Sequence, residues 1–579
     1  MRLRLGALPL LADLRRPDSR PRRDDVAAGL LTAALLLPQA LAYAQLAGLP
    51  ARAGVLASLL PAIVYALFGR SRALAVGPVA VAALMVAEAL ARHAPEAALV
   101  STAAVILAAE VGLLLLLLRG LRWGGLVALI SHPVLLGFTA GAALLILLSQ
   151  LAPLLGLALP RAGPLATLQA VVAALPRVDP LAAAPGLLAM LMLLARPLWA
   201  AALRRARLGA DAIDTTLRTL PLVVVLLALL AVALLPEAAR ARLQLVGPLD
   251  WAAPAVDLPA LADAGLWRAL LPSAALIALV AFVESIAVAR VLAARRREAV
   301  RPDAELGALG LANLAAAFSS AMPVAGSFSR SVVNAQAGAR TQLAGVIAAF
   351  AVGALALLGS GVLALLPRGV LAAIIIVAVV ALLDWRRAAE IYRYDRREAL
   401  ALAITLAGVL LLGIEAGLLV GVLLALGQAL RRTMRPHITA LGRVPGTEHF
   451  RNPRRHAVEQ SPGLLLLRVD ESLYFANIAA VEDRLEAELA AAGGPAVVRD
   501  LVLVLSAVSA IDASAEEALE AWAHSLEERG LRLHLAEVKG PVMDRLRQGR
   551  LARRLEGRIH LSTHAAVAAL EQDRGAAAG

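Results

Sequence analysis

Residues 321–341 read AMPVAGSFSRSVVNAQAGART, a polar, serine-rich stretch with Arg330 at its centre. Long apolar runs lie on both sides of it. An arginine at the middle of a bilayer costs about 2.5–3.5 kcal/mol even on the mildest scale. Irregular backbone at that depth persists only where protein or a cavity surrounds it. Ser327, Ser329 and Arg330 therefore read as a functional site, and the chemistry of a cation among hydroxyls and amides suits an anion.

The rest of the chain sets this stretch in a membrane. The 579 residues are 60% hydrophobic, with a mean hydropathy of +0.76, well above the roughly 45–50% apolar share of soluble domains. Apolar runs of spanning length recur from Val26 to about Leu430, after which the pattern turns water-soluble. The expectation is a polytopic membrane protein followed by a soluble domain. Cysteine is absent, which excludes disulfides and thiolate metal sites, and the nine histidines show no metal-ligand spacing.

Net charge is +13, nearly all from arginine, with Lys539 the single lysine. From His437 onward, 17 basic and 20 acidic residues give −3, so the part before it carries +16. These arginines sit in short loops between apolar runs, which argues for membrane topology and against a nucleic-acid partner. The N-terminus lacks the apolar core and small-residue site of a cleavable signal peptide.

Fourteen segments are expected, at about 25–47, 53–69, 77–92, 100–118, 124–156, 182–203 and 216–236, then 268–290, 305–322, 327–338, 341–366, 369–383, 398–413 and 414–431; the long fifth includes a surface piece that ends near His132-Pro133. With the N-terminus inside, the arginine clusters fall on one side. They are Arg15–Arg23, Arg70/Arg72, Arg119/Arg122, Arg204–Arg207, Arg295–Arg297, Arg340, Arg386–Arg393 and Arg431–Arg435. The other side is poorer, with Arg368 and, in the long 237–267 connection, Arg240 and Arg242. This asymmetry predicts an even number of spans with both termini cytoplasmic. The domain boundaries expected are a cytoplasmic segment 1–24, a transport domain 25–431, a soluble domain 437–572 and a tail 573–579.

Two segments open on Gly/Pro at matching places. The third begins Ala75-Val76-Gly77-Pro78-Val79 and the tenth Pro323-Val324-Ala325-Gly326-Ser327, each third in its set of seven. Such paired interruptions point to a transporter site between inverted repeats. A helix that starts in mid-membrane turns free N–H groups and a partial positive charge toward the cavity. Two such ends hold an anion.

Other polar residues lie at membrane depth. Glu284, in AFVESIAVAR, reads as an ion or proton path or as a counter-ion to Arg330. Gln39 and Tyr43 are i,i+4 on the first span, beside Pro38, and read as cavity wall or as packing. Glu110 has no evident partner. Glu415 reads as a turn residue, and Gly137, Gly141, Gly413, Gly417 and Gly421 as small-residue helix contacts.

Four stretches resemble the SulP inorganic-anion transporters (sulfate permeases). They are LPQALAYAQLAGLPARAGVLASLLPAIVYALFGRSRALAVGP at 37–78, GFTAGAALLILLSQ at 137–150, AFVESIAVAR at 281–290 and GSFSRSVVNAQAGART at 326–341. The resemblance implies an all-α membrane domain of 14 spans in a 7+7 inverted repeat, with core and gate domains, plus a C-terminal α/β STAS domain. It also implies a homodimer in the plasma (inner) membrane. The substrate-binding residues it implies are Gln39, Tyr43, Val79, Ser327, Phe328, Ser329 and Arg330, with Glu284 in the ion-coupling position. Where some prokaryotic members have a carboxylate in the first span this chain has Gln39, which speaks against a two-carboxylate proton relay. The function expected is secondary active transport of a small anion (sulfate, bicarbonate or a dicarboxylate) by alternating access, with no cofactor beyond a coupling H+ or Na+. An anion channel, an exchanger, a nucleobase carrier and a membrane-tethered STAS sensor are the alternatives. An enzyme is disfavoured, since no nucleotide loop, metal cluster or triad is evident.

In the tail, GLLLLRVD (463–470), RDLVLVLSAV (499–508) and LRLHLAEV (531–538) read as buried strands, and Ala513–Arg529 as a helix with Asp512 near its start. The tail resembles a STAS domain, to which SLYFANIAAVEDRL at 472–485 also belongs. Ser514 stands where related regulators are phosphorylated, although a plain helix-start serine is the simpler reading. Ser506 replaces an aspartate common in relatives.

Overall fold

The computed structural model describes residues 9–15, 23–94, 96–125, 131–159, 163–207, 209–249, 251 and 258–578. The arginines at 16, 20 and 22 lie outside the described residues. The chain divides into two compact units, Met1–Ala425 and Leu426–Gly579.

Every expected membrane segment coincides with a helix or a pair of helices. In the first half these are α1 (Arg23–Ala47), α2 (Leu60–Phe68, preceded by Ala51–Leu56), α3 (Ala80–His93), α4 (Ala97–Gly120), α5 (His132–Leu154), α6 (Pro180–Leu194) and α7 (Ala210–Leu234). In the second half they are α8 (Ala264–Arg296), α9 (Pro302–Phe318), α10 (Phe328–Gln336), α11 (Leu343–Leu358), α12 (Arg368–Val380), α13 (Arg396–Leu412) and α14 (Ile414–Met434). Among the described residues, seven helices are each long and apolar enough to cross a membrane unaided, or eight with the bent pair Pro164–Arg177 and Pro180–Leu194.

Several boundaries depart from the sequence reading. The sixth segment breaks after Leu194, and a separate helix, Arg196–Arg205, follows; Pro197 lacks the N–H that would carry the helix through this point. The eleventh stops at Gly359 rather than running to 366. The helical part of the fifth does start at His132, as expected, with Pro133 in the first turn. Gly413 is a turn residue with φ +93°, a conformation that admits glycine at no steric cost, and it also lies close against Glu88 of α3. Gly137, Gly141, Gly417 and Gly421 do face neighbouring helices closely: a Cβ on them would collide with Leu402, Val409, the Gly408–Val409 backbone and Thr405 respectively.

The helices pack in exchange pairs under the swap of the first seven with the second seven. α1 lies on α11 as α8 lies on α4, and α4 on α9 as α11 on α2. α3 lies on α8 as α10 on α1, and α5 on α13 as α12 on α6. α2–α9 and α5–α12 are their own images. This is the inverted repeat. It sorts the membrane unit into a core (α1–α4, α8–α11) and a gate (α5–α7, α12–α14).

The second unit is a six-stranded sheet covered on both faces. Its strands are β3 (Ile438–Arg443), β4 (Phe450–Arg451), β5 (Leu464–Val469), β6 (Asp500–Val504), β7 (Arg532–Ala536) and β8 (Ile559–His560), numbered after the two short strands β1 (Val76–Gly77) and β2 (Ala325–Gly326) of the membrane unit. The order is β4-β3-β5-β6-β7-β8, antiparallel through β3 and parallel from β5 to β8. Leu465, Leu467, Leu501 and Leu503 join one core with Val481, Leu519 and Trp522. Leu466, Val502 and Val504 join another with Val567 and Leu570. A parallel strand buried on both faces is apolar throughout, which is why LLLL and LVLVL read as strands. The helix Ala513–Glu528 begins where expected, with the Asp512 side chain accepting from Ala515 N–H.

Candidate anion site

The site rests on the two interrupted segments. α3 has 14 residues and α10 has nine, or about 21 and 14 Å at 1.5 Å per residue, too short for a hydrocarbon core of about 30 Å. Extended backbone leads into each helix, and within it β1 and β2 pair antiparallel, Val76 opposite Gly326 and Gly77 opposite Ala325. Ser327 N–H donates to Ala75 C=O at 3.0 Å. The third segment is therefore helical only from Ala80 rather than from residue 77; Gly77-Pro78-Val79 are extended.

The strand pair brings the starts of α3 and α10 together. Val79 packs with Ala82, Ala281 and Ala325. Val79 (φ −130°, ψ 151°) and Ser327 (φ −99°, ψ 126°) stand before the two helices, and neither helix has a side-chain cap. The first-turn amides of both are left free for a ligand, each end carrying about half a positive charge.

Arg330 crosses between the two. Its guanidinium is 0% exposed. Nη1 donates to Gln39 Oε1 at 3.0 Å and Nη2 to the Pro78 carbonyl at 2.9 Å, while Nε is buried without a partner. Gly77 leaves room for it: a Cβ there would lie 3.4 Å from Nη2. Arg330 makes no ion pair among the described residues, so Glu284 is not its counter-ion at contact distance. Tyr43, buried on α1, lies within electrostatic reach of both Arg330 and Glu284.

The residues singled out in the sequence thus form two layers. Phe328, 51% exposed, and Ser329 are accessible, and Ser327 is half-buried with its Oγ 3.4 Å from that of Ser329. Behind them lie Arg330, Gln39, Tyr43 and Val79, all buried. Glu284 is half-buried on α8. The arginine is the charged floor of the site and not part of its exposed rim.

Sequence reasoning missed the groups that lock this backbone. Ser285 Oγ accepts from Gly326 N–H at 2.8 Å and donates to Ala281 C=O at 2.5 Å. Ser331 Oγ accepts from Ala75 N–H at 2.8 Å. Asn313 clamps Val324, donating to its carbonyl at 3.0 Å and accepting from its N–H at 2.9 Å. Asn334 and Gln342 donate to the carbonyls of Ala73 and Leu74. Non-helical backbone in a membrane needs its amides satisfied within the protein. A lone Asn in an apolar run, as at 313, was the available signal. Glu110 is buried with Oε2 unpartnered, and Ser514 is exposed in the first turn of Ala513–Glu528.

Two uncapped half-helices crossing at a strand pair within an inverted repeat define a polytopic membrane transporter. The sulfate permease family matches residues 23–405 and the STAS domain residues 455–566. The chain is 35% identical over 529 residues to a protein of Arabidopsis thaliana described as a probable sulfate transporter, covering 90% of this chain and 76% of that one. It is 34% identical over 575 residues to a probable sulfate transporter of Mycobacterium tuberculosis, covering 98% of each. Among solved structures, the murine Solute Carrier 26 family member A9 anion transporter, described as inward-facing, has the same fold, with a TM-score of 0.87 at 21% identity over 98% of this chain and 94% of that one. The transmembrane domain of a cyanobacterial bicarbonate transporter matches 70% of this chain and 97% of its own length, with a TM-score of 0.59 at 23% identity. The chain belongs to the sulfate permease family; it is a multi-pass membrane transporter with a C-terminal STAS domain, and not an enzyme.

Proposed function

We propose that the protein is a secondary active transporter of a small oxyanion, sulfate first among the candidates, working by alternating access. The observation that carries this reading is a fully buried arginine without a carboxylate partner, set between two uncapped helix starts. A buried cation is costly unless paired. A bound anion compensates it, and the free amides complete the anion's hydrogen bonds. The names of relatives at 34–35% identity point the same way.

In this mechanism the anion sits on the rim of Ser327, Phe328 and Ser329, over the Arg330–Gln39–Pro78 floor. The core then shifts against the gate and opens the same site to the other side. Glu284 couples the movement to a proton: neutral, it leaves the field of Arg330 to the anion; ionised, it opposes anion binding. The arginine-rich helix ends mark the cytoplasmic side, with both termini there, in the plasma membrane, and the working form is a homodimer.

The test is uptake of labelled sulfate into proteoliposomes under an imposed pH gradient, with bicarbonate, chloride and a C4-dicarboxylate as competitors. Saturable uptake driven by inward protons supports the reading. Uptake that ignores pH but requires sodium overturns the proton coupling, and single-channel currents overturn the carrier.

A further inference from the structure

A second group of charges joins the core to the gate at the end of the bundle away from the arginine-rich loops. α3 ends there at His93, and α13 turns into α14 there at Gly413. Glu88, on α3, accepts from the Ile414 amide at 3.0 Å and from Arg92 Nη2 at 2.9 Å. Arg92 Nη1 donates to Glu415, on α14, at 2.7 Å. Gly413 makes the approach possible, since a Cβ there would lie 2.6 Å from Glu88 Oε1. A side chain of the core thus caps a helix of the gate, and one guanidinium bridges a carboxylate from each.

The surroundings make this contact reversible. Arg92 and Glu88 line a cavity of about 1240 Å³ whose walls come from the core (Gln45, Leu84) and the gate (Gln150, Pro153). Arg92 is 51% exposed, whereas the Glu415 side chain is 9% exposed with Oε1 buried and unpartnered. Once apart, Glu88 and Arg92 would be hydrated by the cavity that they line, which offsets the loss of their contact, while Glu415 gains water only as the gate moves away. A permanent join needs no ions; α13 and α14 pack through glycine, with the Gly408 and Gly417 Cα atoms so close that a Cβ on Gly408 would lie 3.2 Å from the other.

We propose that Glu88, Arg92 and Glu415, with the Ile414 amide, are the latch that closes the transport path on this side. It is made when the anion site opens toward the arginine-rich side and broken when the site opens into the cavity. The inference rests on the alternating-access reading above and adds the contact that holds one of its two states.

The chain has no cysteine of its own, which makes the test clean. Glu88→Cys and Glu415→Cys are introduced together in the full-length protein, reconstituted in liposomes and joined with a short thiol cross-linker, with joining confirmed by mass. Cross-linking is expected to cut sulfate uptake more than tenfold, and a reducible linker to restore it on reduction. Joined protein that transports within twofold of the unjoined form overturns the latch. A flux-independent arm uses Arg92→Gln with a reporter Ala87→Cys on the cavity wall. Labelling by a membrane-impermeant maleimide from the cavity side is expected to quicken at least threefold over the reporter alone; an unchanged rate overturns the latch. If native and variant proteins alike move no anion, the transport reading fails, and the labelling arm still decides the latch.

Discussion

Arg330→Ala removes the one formal charge at the half-helix crossing while leaving both helix starts in place. The lost energy can be bounded. Unit charges 4 Å apart attract by about 4 kcal/mol at an effective dielectric of 20, which is a ceiling. The guanidinium lies behind the rim and already shares its Nη atoms with Gln39 and Pro78. The loss is therefore nearer that of one charge-assisted hydrogen bond, about 1.5–3 kcal/mol, or roughly 10- to 150-fold in Kd. Isothermal titration of purified protein with sulfate measures it, and a thermal melt confirms the fold. A divalent anion feels the lost charge twice as strongly as a monovalent one, so sulfate should weaken more than chloride. Arg330→Lys keeps the charge but not the two-armed donor geometry, and should recover part of the divalent preference. Sulfate affinity within threefold of wild type in a folded Arg330→Ala protein would refute the charge argument. Equal losses for sulfate and chloride would make Arg330 a strut between α10 and α3 instead.

Other consequences are equally direct. Glu284→Gln should make sulfate uptake insensitive to an imposed pH gradient while leaving the Kd for sulfate within about threefold, read by parallel uptake and titration; a retained pH response would remove Glu284 from coupling. Gly417→Ala forces a methyl into the Gly408–Val409 backbone and should cost about 1–3 kcal/mol by overpacking, seen as a lower melting temperature in detergent. Gly427→Ala on the same helix meets nothing within 4 Å and should be neutral or slightly stabilising. In the soluble unit, burial alone would raise Asp500, but the neighbouring His534 ring and hydrogen bonds from Arg532 and Arg574 overcome it and hold the carboxyl well below the usual range. Because the folded form is the stronger acid, its contribution is present above the unfolded value near pH 4 and is lost as the pH falls through the depressed value. Asp500→Asn should therefore destabilise this unit at neutral pH by about 2–3 kcal/mol once the partial exposure of both arginines is discounted, seen as a lower melting point, and should flatten its acid limb.

The membrane unit was legible because lipid permits few solutions. Apolar runs, arginine asymmetry and the matched Gly/Pro openings at 77–78 and 323–326 are consequences of solvent, and they are written in composition and spacing. The soluble strands were legible for a related reason: β5 and β6 are buried on both faces and carry no polar register. Short β4 and β8, the break after Leu194 and the partner of the turn at Gly413 were not read. Each depends on what lies opposite it, as Glu88 lies opposite Gly413.

Residues 321–341 and the matching opening at 75–79 were enough to expect two polar interruptions at membrane depth, one of them cationic, with an anion as the guest. Only the tertiary structure decided that Arg330 turns inward to Gln39 and Pro78 while Ser329 and Phe328 face the open side, and that Ser285, Ser331 and Asn313 hold the exposed backbone. It alone decided that α3 reaches Glu415 across the core–gate boundary. The division has a physical cause. Transfer between water and lipid depends on residue type and is additive along a chain, whereas the direction of a side chain and the identity of its partner arise from contacts between segments hundreds of residues apart.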